Sequence, residues 1–382
     1  MARGRRKRYA RFLAALAAGV LAASVAGPTA LRHVRAVGLL LGVTGAADPT
    51  GITRLLAYDV DEHDAPVRAG TRTLRARVYA ARGLPRAPGT VLLHGVHRAG
   101  IDEPHLRDFA RGLAALGARV LTPELPELLD YRVEPSTLDD IEACVWQHAR
   151  TTGGPVGVWG ISFAGGLALI AAARPGAERA FDHVVAVGGH HDLVRLARYY
   201  AGEAVRGPDG ARPRVRPHAY GARVILHAHA ESFFAPDDLP GARRALRLYL
   251  SGQSAAARVQ ARALSPPAHA LMTTFLDEGR EREVGRHLMR AVREHQRDLA
   301  RVSPRGQLAG LRTPVFLVHG DSDPVIPSLE TLHLAREVPP RALRRALVTP
   351  VLRHTDAKDT PSLAQHWELV RFVAAVIEEA AD

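Results

Sequence analysis

The chain has 382 residues, 47% hydrophobic and 24% charged, which is globular and long enough for one large domain with an insertion or for two domains. A single cysteine, Cys144, excludes an intramolecular disulfide; lying in the helical run Leu138–His148, it reads as a small packing residue. The net charge of +12 does not single out a nucleic-acid partner: six cations crowd the first eleven residues, only two lysines occur, and the arginines are scattered among acids without a binding motif.

After that basic start comes Phe12–Leu31, twenty residues without a charge, alanine-rich and interrupted by Pro28. Residues 1–45 are therefore predicted to form an N-terminal module that reaches a membrane. As a retained anchor it holds the rest of the chain on the extracytoplasmic side; as a cleaved signal it yields a secreted protein. A second apolar patch, Ala36–Val43, is expected to lie at the lipid interface.

From about residue 53 the pattern alternates between strands and helices. Leu55–Val60 and Thr73–Tyr79 read as strands around an Asp61–Gly70 turn region, and Thr90–His94 as a buried parallel strand. Leu106, Phe109, Ala110, Leu113 and Leu116 recur at helical spacing up to Gly117. Arg119–Thr122 is the next strand. Ser136 then opens a helix with Asp139 as capping-box partner. Pro155–Gly160 and Asp182–Gly188 are strands flanking an all-apolar helix, Phe163–Ala173. Residues 191–308 break the rhythm with helical patterns at Asp192–Tyr200, Ala242–Leu250 and Arg282–Leu299. It resumes with a strand at Pro314–His319, a helix near Leu329–Glu337, a strand at Leu343–Thr349, and a last helix opened by Thr360-Pro361. The fold class is α/β: a mostly parallel sheet with helices on both faces, its core in 53–190 and 309–382, and a largely helical cap over 191–308.

The most specific motif is Gly160-Ile161-Ser162-Phe163-Ala164-Gly165-Gly166, a serine between a buried strand and a buried helix with small residues two positions either side. Only small residues fit so tight a turn, which lifts the hydroxyl clear of the backbone at a helix N-terminus. A hydroxyl needs a base and an orienting acid. Downstream, the strand ending at His319-Gly320 runs into a loop with two carboxylates, Asp321 and Asp323, of which Asp323 is the favoured acid. His354 follows the last strand and is the candidate base. His94-Gly95-Val96 ends the first core strand, so the backbone N–H groups of Val96 and Phe163 are candidates for an oxyanion hole. His97 reads as a loop residue. His190-His191-Asp192 and His227-Ala228-His229 lack a third ligand at recognised spacing, so no metal is expected. Tyr199, Tyr200, Phe233 and Phe234 suit either an acyl pocket or cap packing.

From roughly residue 53 onward these motifs resemble the α/β-hydrolase superfamily, specifically a serine esterase or lipase-like branch with a helical cap. The resemblance implies a sheet of about eight strands, no cofactor, and acyl-enzyme hydrolysis of a small-molecule or lipid-like ester by a Ser162-Asp323-His354 triad. An amidase, thioesterase or acyltransferase would keep the same triad. A non-catalytic binding protein at a membrane is the reading from another class. Residues 191–308 match no branch.

Overall fold

A computed structural model describes residues 28–44, 57–352 and 361–380 of the chain. The central sheet has eight strands. In chain order they are β1 (Val60–Asp64), β4 (Ala76–Ala81), β5 (Gly89–Leu93), β6 (Arg119–Pro123), β7 (Val156–Ile161), β8 (Phe181–Val187), β9 (Val315–Gly320) and β10 (Leu343–Thr349). Side by side they run β1-β4-β6-β5-β7-β8-β9-β10. The pairs β1/β4 and β4/β6 are antiparallel; all others are parallel. A small hairpin, β2 (Val67–Ala69) and β3 (Arg72–Leu74), stands apart.

The strand sequences follow their positions. Central β5, β7 and β9 are nearly all apolar and buried on both faces. The edge strand β1, Val-Asp-Glu-His-Asp, is charged and exposed, which discourages pairing with another chain. Side chains alternate between two cores. Val91, Leu93, Val158, Val184, Ala186, Val315 and Leu317 face one. Leu92, Trp159, Val185, Phe316 and Val318 face the other.

Helix α1 (Pro28–Thr44) packs with α2 (Pro104–Ala115) and the C-terminal α13 (Leu363–Glu379) around that second core. The opposite face carries α3 (Ser136–Thr152), α4 (Phe163–Ala173) and α12 (Leu329–Glu337). Between β8 and β9 lie seven helices: α5 (Leu193–Tyr200), α6 (Ala219–Ala228), α7 (Leu239–Leu250), α8 (Ser254–Ala261), α9 (Pro266–Leu276), α10 (Glu281–Glu294) and α11 (Gln296–Arg301). Their buried residues join the core on the α3/α4 face, so this cap is continuous with the body.

Several local expectations need correcting. The first strand begins at Val60, the last residue of the stretch read as a strand, and runs to Asp64 through what was read as a turn, and 73–79 is broken at Arg75 into β3 and β4. Ser136 is the first residue of α3, not its cap; Asp139 pairs with Arg174 instead of closing a capping box. The last helix is capped by Ser362, whose hydroxyl accepts from the Gln365 N–H while the Gln365 side chain accepts from the Ser362 N–H. Arg282–Leu299 is two helices broken at His295. The patch Ala36–Val43 meets helices rather than lipid: Ala36, Val37, Leu39 and Leu41 are buried, and α1 is tied to α13 by an Arg32–Glu378 ion pair and a His33–Trp367 ring stack. Most of Phe12–Leu31 lies outside the described residues, and no helix among those described is long and apolar enough to cross a membrane.

Candidate active site

Ser162 sits where β7 hands over to α4, with φ 57° and ψ −131°. That positive φ costs a non-glycine residue roughly 1–3 kcal/mol, and the surroundings enforce it. Sheet hydrogen bonding runs into the turn, since Ser162 N–H donates to Val187 O at 2.7 Å, and Gly165 N–H closes the turn onto Ser162 O at 2.9 Å. A Cβ on Gly160 would stand 2.5 Å from Ala164 O and 2.6 Å from Gly165 Cα. One on Gly166 would stand 2.5 Å from the His190 ring. The Gly-x-Ser-x-Ala-Gly-Gly spelling is thus a steric requirement of the turn, and the serine remains half-buried rather than sealed.

The end of β5 closes on this serine. A Cβ on Gly95 would lie 3.1 Å from Ser162 Cβ and 3.8 Å from its Oγ. The buried imidazole of His94 holds the loop. Its Nε2 accepts from Leu125 N–H at 2.9 Å, so the proton is on Nδ1, which donates to Gly95 O at 2.7 Å. Burial pushes His94 down to about 4, so it stays neutral at ordinary pH. Val96 follows directly, and Phe163 is the first residue of α4, whose N–H has no partner within the helix. His97 is exposed and accepts a bond from Ala99 N–H, as a loop residue does.

A strained serine at a strand–helix turn, at the end of β7, the fourth of six adjacent strands ordered β4-β6-β5-β7-β8-β9, decides the architecture. The fold is that of the α/β hydrolases.

Asp323 follows β9. Its Oδ1 accepts from Val325 N–H at 2.8 Å and Ile326 N–H at 3.0 Å, which fixes the carboxylate at the C-terminal edge of the sheet. Its Oδ2 lies 3.8 Å from the point where Gly188, just past β8, would carry a Cβ. Asp321 is differently engaged: Arg214 reaches Oδ2 at 2.6 Å and the Ser322 hydroxyl donates to Oδ1. His354 lies outside the described residues. The last described residue before it, Leu352, has its carbonyl against Gly320 at the end of β9. Of the other histidines weighed, His319 has both ring nitrogens bonded. His319 is fully buried, its Nε2–H donating to Ile326 O at 2.7 Å and its Nδ1 accepting from Thr331 at 2.6 Å; it comes within 3.8 Å of Asp323 Oδ2. His333 and His366 bond backbone carbonyls.

The cap contributes contacts that sequence reasoning missed. The Tyr220 hydroxyl donates to Val96 O at 2.8 Å, Tyr200 donates to Val325 O at 2.7 Å, and His218 N–H donates to Pro324 O at 2.8 Å. Both the loop after β5 and the loop bearing Asp323 are therefore strapped by the cap. The aromatics weighed as pocket lining pack instead: Tyr199 and Tyr200 are buried, while Phe233 and Phe234 lie edge-on to Phe275. Cys144 is buried and its thiol is pushed up by burial, in keeping with a packing role. His227 lies in the last turn of helix α6 and His229 is its C-cap; His227 is fully buried and bonds Asp130 O.

No protein-family model matches the chain, and no curated protein matches it in sequence. Solved structures do overlap it. A 2-hydroxy-6-oxo-6-phenylhexa-2,4-dienoate hydrolase from Rhodococcus shares 17% identity over 85% of this chain and 100% of its own, with a TM-score of 0.45. Brefeldin A esterase, a bacterial homologue of human hormone-sensitive lipase, shares 18% over 90% and 86%, with a TM-score of 0.48. A fungal esterase from Rhizomucor miehei shares 15% over 96% of each chain, with a TM-score of 0.45. Likeness this low does not bear on chemistry.

Proposed function

We propose that the protein is a serine hydrolase cleaving carboxylic esters through an acyl-enzyme, with Ser162 as nucleophile, His354 as general base and Asp323 as orienting acid. The observation that carries this reading is the strained Ser162 turn, held with the Gly95 backbone against the serine. Strain of this kind persists where the surroundings impose it, and it serves to project a hydroxyl. In the proposed cycle Ser162 Oγ attacks the ester carbonyl carbon while His354 takes its proton. The N–H groups of Val96 and Phe163 receive the oxyanion, and His354 returns the proton to the departing alkoxide. Water, deprotonated by His354, then attacks the acyl-enzyme, releasing the acid and regenerating Ser162. Asp323 holds the imidazole and stabilises its cationic form.

The test is labelling of the full chain, purified in detergent, with a tagged fluorophosphonate, followed by a panel of ester, thioester and amide substrates. Labelling of the wild type, lost in Ser162→Ala and His354→Ala and reduced in Asp323→Asn but not Asp321→Asn, supports the triad. Absence of labelling in folded wild type overturns it. The panel separates an esterase from a thioesterase or amidase. A lipid-like substrate and an extracytoplasmic, membrane-anchored placement rest on residues 12–31 alone. Protease accessibility of the domain in spheroplasts tests that placement.

A further inference from the structure

Apart from the serine site, one grouping among the described residues has the make-up of a transition-metal centre. His229 caps the C-terminus of α6, Glu231 lies in the single 3-10 turn that follows, and His295 is the residue at which α10 gives way to α11. One ligand atom from each lies within 4.8 Å of the others, and His229 Nδ1 is already 3.9 Å from Glu231 Oε1. We propose that His229, Glu231 and His295 bind a divalent transition ion of the zinc class, stapling the end of α6 to the α10–α11 break.

The donor set is right for such an ion. Two imidazoles and one carboxylate are borderline ligands that favour zinc over calcium or magnesium, with a fourth position left for water. Metal–ligand bonds of about 2.0–2.2 Å place tetrahedral ligand atoms roughly 3.5 Å apart, so about an ångström of closure completes the site. The surroundings fit too. Ser232 Oγ lies 2.8 Å from His295 Nε2, the kind of hydroxyl contact that orients a ligating ring. Arg243 is bonded to Oε2 of Glu231, which leaves Oε1 facing His229. Asp298 and Glu294 are close enough to act on the two histidines electrostatically, adding negative potential at the cation. The imidazole rings stack 4.0 Å apart at 15°, and because each nitrogen lone pair lies in its ring plane, one ring must tilt as the site closes on the ion. The partly exposed site leaves an entry path.

The experiment is calorimetric titration of the metal-stripped full chain with zinc chloride, with cobalt(II) absorption as a second readout. One saturable ion per chain is expected, together with a tetrahedral cobalt spectrum and a zinc-dependent rise in melting temperature. His229→Gln and His295→Gln should each weaken binding at least tenfold and abolish the spectrum; Glu231→Gln should weaken it less. Circular dichroism confirms folding of each variant, and His295→Asn replaces any that fails. No saturable binding by the wild type, or equal binding by folded His295→Gln, overturns the proposal, since ions held loosely by other histidines would survive the substitution.

Discussion

Substituting Gly95 by alanine separates the chemistry of the serine site from the stability of the fold. Gly95 does not have a positive φ, so alanine adopts its backbone without strain. The new methyl would lie 3.1 Å from Ser162 Cβ and 3.3 Å from Ile161 O, inside the usual contact distance of about 3.5–4.0 Å. Neither neighbour yields easily, because the Ser162 N–H is bound to Val187 O at 2.7 Å within the sheet. Overpacking of this size costs about 1–3 kcal/mol, a fall of a few degrees in melting temperature. The consequence for reactivity is larger. The methyl stands 3.8 Å from Ser162 Oγ, next in sequence to the Val96 N–H proposed to receive the oxyanion, and a misplacement of about 1 Å there can cost about 100-fold. The assay is the second-order rate of fluorophosphonate labelling beside a thermal melt. A fall of up to about 100-fold with only a few degrees lost is expected. Labelling at the wild-type rate would refute the argument that the β5 loop flanks the reactive face of Ser162.

Ser162→Gly is expected to be more stable than Ser162→Ala by about 1 kcal/mol, reversing the usual order, because glycine alone relaxes at φ 57°; comparative melts check this, and both variants should be unlabelled. Tyr220→Phe removes the 2.8 Å bond to Val96 O but keeps the ring, so labelling should slow several-fold while stability falls by about 1 kcal/mol; unchanged kinetics would detach the cap from the oxyanion loop. His94, His148 and His190 are each held by burial at about 4 against an ordinary 6.5. The unfolded chain therefore takes up these protons first as pH falls, and stability should drop from pH 6.5 to pH 4 by up to about 1.4 kcal/mol per unit for each ring. Urea midpoints across that range check the slope, which His94→Gln should make shallower.

What was legible in the sequence was local. β5, β7, β8 and β9 were readable because buried parallel strands are short, mainly apolar runs, and the serine turn because its steric demands are spelled out in consecutive residues. The N-terminal edge was misread because β1 carries Asp61, Glu62 and Asp64 on an exposed edge, where apolar patterning vanishes. Helices α6, α8 and α9 escaped notice because their apolar residues face other cap helices rather than forming a clear stripe. Partners distant in sequence left no trace at all. His229 had no visible third ligand because His295 arrives from another helix, and Tyr220 gave no hint that its hydroxyl ends on Val96.

Those cap contacts change how the serine site is to be understood. The loop after β5 is fixed from below by His94, which bonds both Gly95 O and Leu125 N–H, and from above by Tyr220. The acid loop is fixed from within by its own N–H groups on Asp323 and from above by Tyr200 and His218. Tyr200 reaches Val325 only because residue 221 is glycine: a Cβ there would stand 2.2 Å from the tyrosine ring. Residues 200, 218, 220 and 221 all lie at or near the facing ends of α5 and α6. A displacement of α6 would therefore loosen the proposed oxyanion donor and the proposed acid together, although neither belongs to the cap. The helical insertion is in that sense part of the site it covers, and substitutions on α6 should alter reactivity even where they leave the sheet untouched.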